Sequence, residues 1–381
     1  MATRYSKGWI MRIGVPKEVK DQERRVAMTP ACVAEYVANG HAVTIQQGAG
    51  VGSGFHDEEY VRSGASLAPT AEDVWSSAEM IVKVKEPIQR EYALMQDGQV
   101  LYTYLHLAAE EALTQALVRK NVTAIAYETV QLPTGQLPLL TPMSEVAGRM
   151  SVQVGAFYLQ ATNGGGGRLL GGVPGVLPAN VAIIGAGVVG TNAAQIALGM
   201  GANVTIIDKN LDRLRTLDLQ LHGRLQTLAS NKKLLADAVA EADLVIGGVL
   251  LPGAKAPKLV TAEMVKSMRP GSVMVDVAID QGGCFATSKP TSHSEPVYVV
   301  DGVVHYCVTN MPGAVPRTST QALANATLPY GVALANQGVA AAAKRDAALA
   351  KGVNVIDGKI TYQAVADAFG LKYTPLDQVL Q

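Results

Sequence analysis

The chain has 381 residues, 48% of them hydrophobic, with 32 Lys+Arg against 32 Asp+Glu. That length accommodates two or three domains with a large core, and zero net charge argues against nucleic acid or an anionic membrane as a bulk electrostatic partner. Three widely spaced cysteines, Cys32, Cys284 and Cys307, give neither a disulfide framework nor a metal-ligand pattern and point to a reducing, cytoplasmic setting.

No apolar run reaches membrane-spanning length. Residues 1–10, MATRYSKGWI, lack the apolar centre of a signal peptide. Met11 directly precedes the first strand, so the leader reads as an alternative start or an extension outside the fold. Arg12 to Val15 is that strand, and a charged loop with Arg24 and Arg25 follows. Thr29-Pro30 opens a helix, Thr as N-cap and Pro at the first helical position. Asn39-Gly40 closes it before a strand at Ala42 to Ile45. Helices near Thr70–Ser77, Pro87–Met95 and Ala109–Arg119 then alternate with strands at Met80–Val84, Gln99–Leu105 and Val122–Ala126. This rhythm predicts a mostly parallel sheet with helices on both faces.

Polar residues follow those strands. Arg25 lies in the loop after the first, Lys85 follows Val84, and His106 follows Leu105. Ligands of open parallel sheets bind beyond the carboxyl ends of the strands. Singly, each has an ordinary reading: a solvated loop arginine, a surface lysine with Lys83 as a competitor, and a core histidine bonded to backbone. Together, at equivalent strand ends, they read as a site.

Residues 133–149 cross into a second domain, and Thr141-Pro142 caps a helix that runs on to Leu159. NGGGG at Asn163 to Gly167 reads as a flexible turn, since no helix follows it directly. Asn180 to Asp208 is a complete βαβ unit. Val181–Ile184 is a strand, Gly185, Gly187 and Gly190 stand in G-x-G-x-x-G spacing, a helix follows, and Val204–Ile207 ends at Asp208. The glycines allow a tight turn, close approach to a pyrophosphate and close helix–strand packing, while the helix N-terminus favours phosphate. Asp208 can accept from a ribose 2′-hydroxyl and would repel a 2′-phosphate, which favours NAD over NADP. Leu225–Leu228, Leu244–Val249 and Val273–Val277 read as further strands. Asp280, in the glycine-rich loop after the last of these, is either a turn aspartate or a carboxylate facing the nicotinamide. Val297–Val300 and His305–Val308 are strand-like. A proline-rich crossing leads to a helix over Ala322–Ala343, bent near Pro329, and a short helix near Tyr362–Phe369 precedes a tail.

The motifs IGVPKE, ERRVAMTP, KVKEP, YLHLA, YETVQ, PLLTPMSEVAGR, GGVPGV, GAGVVG, VDVAIDQGG and NMPGAVPRTST lie between Ile13 and Thr320. They resemble those of the alanine dehydrogenase and nicotinamide nucleotide transhydrogenase family, and specifically its NAD-dependent alanine dehydrogenases. The resemblance implies an α/β fold of two doubly wound Rossmann-like domains, the NAD-binding one inserted into a discontinuous catalytic domain. The implied ranges are 11–138 and 317–381 for the catalytic domain and 139–316 for the NAD-binding one. It implies substrate contacts at Arg25 and Lys85 and a catalytic pair, His106 and Asp280. It implies cofactor contacts at Ser144, Gly185, Gly187, Val188, Val189, Gly190, Asp208, Arg213, Ser230, Val249, Leu250, Val277, Ala278, Ile279, Asp280, Lys289, Val308, Thr309, Asn310 and Met311. A bacterial cytoplasmic homohexamer acting on L-alanine, pyruvate and ammonium is the implied assembly and chemistry, with NAD as cofactor and no metal. Two other readings stay open on the residues alone: a 2-hydroxy-acid dehydrogenase, and a nucleotide-binding component of a transhydrogenase.

Overall fold

The computed structural model describes residues 9–249 and 256–380. The chain divides into two compact units, one formed by Met1–Met143 with Val315–Gln381 and the other by Ser144–Ala314.

The first unit is built on Arg12–Val15 (β1), Ala42–Gln46 (β2), Ser66–Ala68 (β3), Met80–Val82 (β4), Val100–Thr103 (β5) and Thr123–Ala126 (β6). These pair in parallel in the order β6-β5-β4-β1-β2-β3. The strand order therefore reverses between β1 and β4, and such a switch point opens a crevice at the carboxyl ends. Helices form where the sequence places caps. Thr29 accepts from the Cys32 N–H at the start of Pro30–Ala38, and Thr70 accepts from the Asp73 N–H at the start of Ala71–Ser77. Val74, Trp75, Ile81, Leu101, Leu113 and Leu117 pack into one buried cluster between sheet and helices. Each such side chain contributes about 1.5–3 kcal/mol on burial.

The second unit carries Asn180–Ile184 (β7), Asn203–Asp208 (β8), Gln226–Ala229 (β9), Leu244–Gly247 (β10), Val273–Asp276 (β11), Val297–Val300 (β12) and Val303–Tyr306 (β13). Its order is β12-β13-β11-β10-β7-β8-β9, parallel except for the β12–β13 hairpin. Here the switch point lies between β7 and β10. Val239, Val245, Val260, Met274 and Phe285 fill the core on one side of this sheet.

The chain then returns to the first unit. Val353–Ile356 (β14) pairs antiparallel with β6, and Lys359–Ile360 (β15) pairs antiparallel with β14. The expected fold class, two Rossmann-like α/β units with one interrupting the other in sequence, is borne out.

Three expectations need correction. Pro87–Met95 is not a helix but a single turn, Gln89–Glu91. The Glu91 carboxylate accepts from the Ile88 N–H and from Lys83 Nζ, which fixes that turn against the core. The long helix runs over Pro316–Arg345, and its break lies at Gly338 (φ 72°, ψ 160°), not at Pro329, which sits inside the helical run. Only glycine adopts such angles without a Cβ clash. The segment after Arg345 holds two strands as well as the expected short helix, Gln363–Phe369. Among the described residues no helix is long and apolar enough to cross a membrane.

Candidate active site

In the first unit the three strand-end residues follow adjacent strands: Arg25 follows β1, Lys85 follows β4 and His106 follows β5. All three thus serve the carboxyl edge at or beside the switch point. Arg25 is 2% exposed. Its Nε and Nη2 donate to the Glu23 carboxylate at 2.7 and 2.6 Å, and its Nη1 reaches Met143 Sδ at 3.1 Å. Burial alone would lower the guanidinium's pKa, but the Glu23 carboxylate outweighs it and raises it. Arg25 is therefore a permanent cation.

Lys83, the competing lysine, is fully buried, held by Glu18 at 3.2 Å and Glu91 at 3.0 Å. Glu18 also accepts from the Val84 N–H at 2.6 Å, where the ladder of β4 has ended. Lys83 is thus committed to the core, and Lys85, partly exposed, is the lysine presented at the edge. Burial would raise the Glu86 carboxyl, but the charges of Lys85, His106 and Lys20 outweigh it and hold it below the usual range. Lys85 and His106 therefore lie within electrostatic reach of one carboxylate.

His106 is exposed and sits at φ 50°, a left-handed conformation that few non-glycine residues adopt. Its N–H and that of Leu105 both donate to Glu128, which pins the turn. Its ring lies 6.0 Å from that of Tyr104, with 11° between the planes. Tyr104 was not found by sequence reasoning. Its hydroxyl donates to the Leu139 carbonyl at 2.6 Å. Burial raises its pKa, against the pull of the nearby Arg25 charge.

In the second unit the fingerprint loop follows β7. Gly185 adopts φ 101°, and a Cβ at Gly190 would strike the Gly185 carbonyl, so both positions require glycine. A Cβ at Gly187 would meet nothing within 4 Å, which leaves open space at the N-cap of the helix Val188–Gly199. These residues fit a pyrophosphate at a helix N-terminus. Asp208, at the end of β8, accepts from the Ala186 N–H at 2.7 Å and the Asn210 N–H at 2.8 Å. Arg213 Nε donates to the Ala186 carbonyl at 2.7 Å and its Nη2 to Thr191 at 2.8 Å. Both charged residues thus shape the glycine loop. Ser230 follows β9 and its N–H donates to the Asp208 carbonyl at 2.9 Å. Val249 follows β10, while Val308, Thr309, Asn310 and Met311 follow β13. Ser144 lies near the start of the helix Thr141–Tyr158, and the Lys289 N–H donates to the Tyr298 hydroxyl. Leu250 lies outside the described residues.

Asp280 is exposed, on a short turn Ile279–Gln281 after β11. Asp276, also missed by sequence reasoning, organises that loop. Its buried carboxylate accepts from the N–H groups of Ala278 (3.1 Å), Cys284 (2.9 Å) and Phe285 (3.3 Å) and from the Ser288 hydroxyl. Val277, Ala278 and Ile279 ride on the same loop.

Two parallel-sheet units, one with a dinucleotide fingerprint and one with cations and an imidazole at its strand ends, define the class of nicotinamide-dependent oxidoreductases. Residues 14–147 match the family described as Alanine dehydrogenase/PNT, N-terminal domain, and residues 151–363 match Alanine dehydrogenase/PNT, C-terminal domain. The chain belongs to the alanine dehydrogenase/PNT family, as the resemblance implied. The alanine dehydrogenase of Halomonas elongata is 59% identical over 363 residues, 95% of this chain and 98% of that protein. That of Bacillus subtilis is 57% identical over 372 residues, 97% of this chain and 98% of that protein. A solved L-alanine dehydrogenase superposes with a TM-score of 0.92 at 57% identity, covering 94% of this chain and 99% of the other. The transhydrogenase from Sinorhizobium meliloti follows with a TM-score of 0.80 at 26% identity, covering 92% and 99%.

Proposed function

We propose that this protein catalyses L-alanine + NAD⁺ + H₂O ⇌ pyruvate + NH₄⁺ + NADH + H⁺. The observation that carries the reading is the set of Arg25, Lys85 and His106 after the adjacent strands β1, β4 and β5, in a chain that shares its family with alanine dehydrogenases. NAD supplies hydride acceptance when bound. Arg25 holds the substrate carboxylate, since a planar guanidinium matches it with two parallel N–H groups. Lys85 donates to the carbonyl oxygen, where negative charge grows as ammonia adds to the carbonyl carbon on the way to the carbinolamine. His106 transfers protons at the carbinolamine and ketone oxygens. Asp280 supplies the carboxylate that a cationic imine needs.

The choice of NAD over NADP is supported by Asp208 at the end of β8 and by Arg213. The guanidinium of Arg213 is engaged by Ala186 and Thr191, so it is not deployed toward a 2′-phosphate. A homohexamer is supported by the exposed apolar side chains of Leu169, Val173, Val176 and Leu177 on one short segment, a patch that a second copy would cover. A cytoplasmic location accords with the three buried free cysteines.

The test is NADH oxidation with pyruvate, with and without ammonium. Oxidation that requires ammonium is expected. Equal rates without it would instead identify a 2-hydroxy-acid dehydrogenase. Light scattering reads the assembly directly, and a monomeric mass would remove the hexamer.

A further inference from the structure

Two arginines stand side by side in the loop after β1, yet they have different environments. Arg24 is exposed and its Nη2 reaches Gln22, whereas Arg25 is buried. Glu23 makes the difference. One of its oxygens accepts from both the Arg25 backbone N–H at 3.1 Å and Arg25 Nε at 2.7 Å, and the other accepts from Nη2 at 2.6 Å. The carboxylate thus ties the guanidinium to its own backbone along the Nε–Nη2 edge. The loop around it is fixed as well. The Val26 N–H donates to Thr320 Oγ1 at 3.1 Å, and the Arg24 carbonyl accepts from Ser53 Oγ at 3.0 Å.

A guanidinium has a side edge, Nε with Nη2, and an end edge, Nη1 with Nη2, and each can hold a carboxylate. Glu23 takes the side edge. Arg25 Nη1 reaches Met143 Sδ at 3.1 Å, and the guanidinium charge is felt at the Tyr104 hydroxyl. We propose that Glu23 is a positioning residue, a buried carboxylate that locks the Arg25 guanidinium in the orientation in which it meets the substrate carboxylate. The inference rests on Arg25 being the substrate's anchor. It differs from a counterion role, in which Glu23 would merely offset the Arg25 charge and weaken binding of an anion.

The two roles give opposite signs. As a positioning residue, Glu23 changed to glutamine presents an amide N–H to a guanidinium N–H and lets the fork turn. As a counterion only, the same change strips a negative charge from the site and tightens anion binding. We would measure KM for pyruvate, NADH and ammonium, and the inhibition constant of propionate, a non-reacting carboxylate. The variants are Glu23→Gln, Arg25→Lys and their combination. Glu23→Gln is expected to raise the pyruvate KM and the propionate constant about 10-fold, with the NADH and ammonium KM unchanged. It should add no further rise in the Arg25→Lys background. If Arg25→Lys raises the pyruvate KM while Glu23→Gln leaves it unchanged or lowers it, the positioning role is overturned and the anchor stands. If Arg25→Lys leaves the pyruvate KM unchanged, the anchor itself falls and the inference with it. Should Glu23→Gln fail to fold, Glu23→Asp keeps the charge but withdraws it by one methylene. A raised pyruvate KM with an unchanged NADH KM is then expected, and an unchanged pyruvate KM overturns the proposal.

Discussion

The Tyr104 ring lies parallel to the His106 imidazole, 11° between planes and 6.0 Å between centroids, while its hydroxyl is tied to the Leu139 carbonyl. A rigid aromatic plate therefore lies alongside an exposed histidine whose backbone is held by Glu128. His106→Ala is expected to lower turnover by about 10²–10⁴-fold, the usual scale for losing a general acid–base. Asp280→Asn is expected to lower it as well. NADH binding, followed by its fluorescence, should persist in both, because neither change touches the glycine loop. A folded variant with full turnover would remove that residue from the chemistry.

Arg25 and Lys85 should fail in different ways. Arg25 would hold a carboxylate that is unchanged through the reaction, so Arg25→Ala should mainly raise the pyruvate KM. A charge-assisted hydrogen bond contributes about 1.5–3 kcal/mol, which corresponds to roughly 10- to 150-fold in kcat/KM. Lys85 would meet charge that grows in the transition state, so Lys85→Ala should lower kcat as well. Steady-state kinetics on both variants decide this, and unchanged constants in both would place the substrate elsewhere.

Asp208 should govern cofactor choice. Its carboxylate receives the Ala186 and Asn210 N–H groups, so Asp208→Ala removes a strut of the loop together with the proposed ribose acceptor. We expect the NAD KM to rise about 10-fold or more and the preference over NADP to narrow. Equal use of NADP by the unaltered protein would contradict the assignment.

His305 gives the second unit an acid-sensitive element. Burial lowers its pKa below the usual 6.5, against the upward pull of the Val303 carbonyl, Asp276 and Asp301. The ring is held at both nitrogens, by Thr287 at 2.8 Å and the Val303 carbonyl at 3.0 Å. The folded state therefore binds this proton less readily than the unfolded chain does. Its contribution to stability is full above about pH 6.5 and is lost as the pH falls toward the lower folded-state value. Melting temperatures recorded from pH 8 to 5 should fall through this window, and His305→Gln should flatten the decline. A pH-independent melting temperature in the unaltered protein would refute it.

Much of this was legible from sequence because it is local. Hydrophobic rhythm, Thr29-Pro30 and the glycine spacing report on neighbours a few residues away, and the strands they predicted stand close to where they placed them. The strand-end rule singled out Arg25, Lys85 and His106 for the same reason. What escaped depends on distant partners. Lys83 and Lys85 look alike in KVKEP, and only the approach of Glu18 from the loop after β1 and of Glu91 from the following turn decides which one is buried. Tyr104 gave no signal, since its part rests on Leu139 and a ring stack. Asp276 went unnoticed inside the expected strand Val273–Val277, because the loop it gathers closes only in three dimensions. β14 escaped because a four-residue strand that pairs antiparallel with a parallel sheet breaks the βα rhythm.

That last strand has a consequence for synthesis. The sheet of the first unit begins at Arg12 but is completed only by Val353–Ile356 and Lys359–Ile360. All of Ser144–Ala314 leaves the ribosome before β6 meets its outer neighbour. The intervening unit has every strand of its own sheet by then and can fold first. Meanwhile β6, Thr-Ala-Ile-Ala with all four residues buried in the finished protein, offers a bare apolar edge to other nascent chains. The unit that starts first finishes last, and a nonsense codon between Ala314 and Val353 would yield a chain that keeps every strand of the second unit but leaves β6 of the first exposed to aggregation.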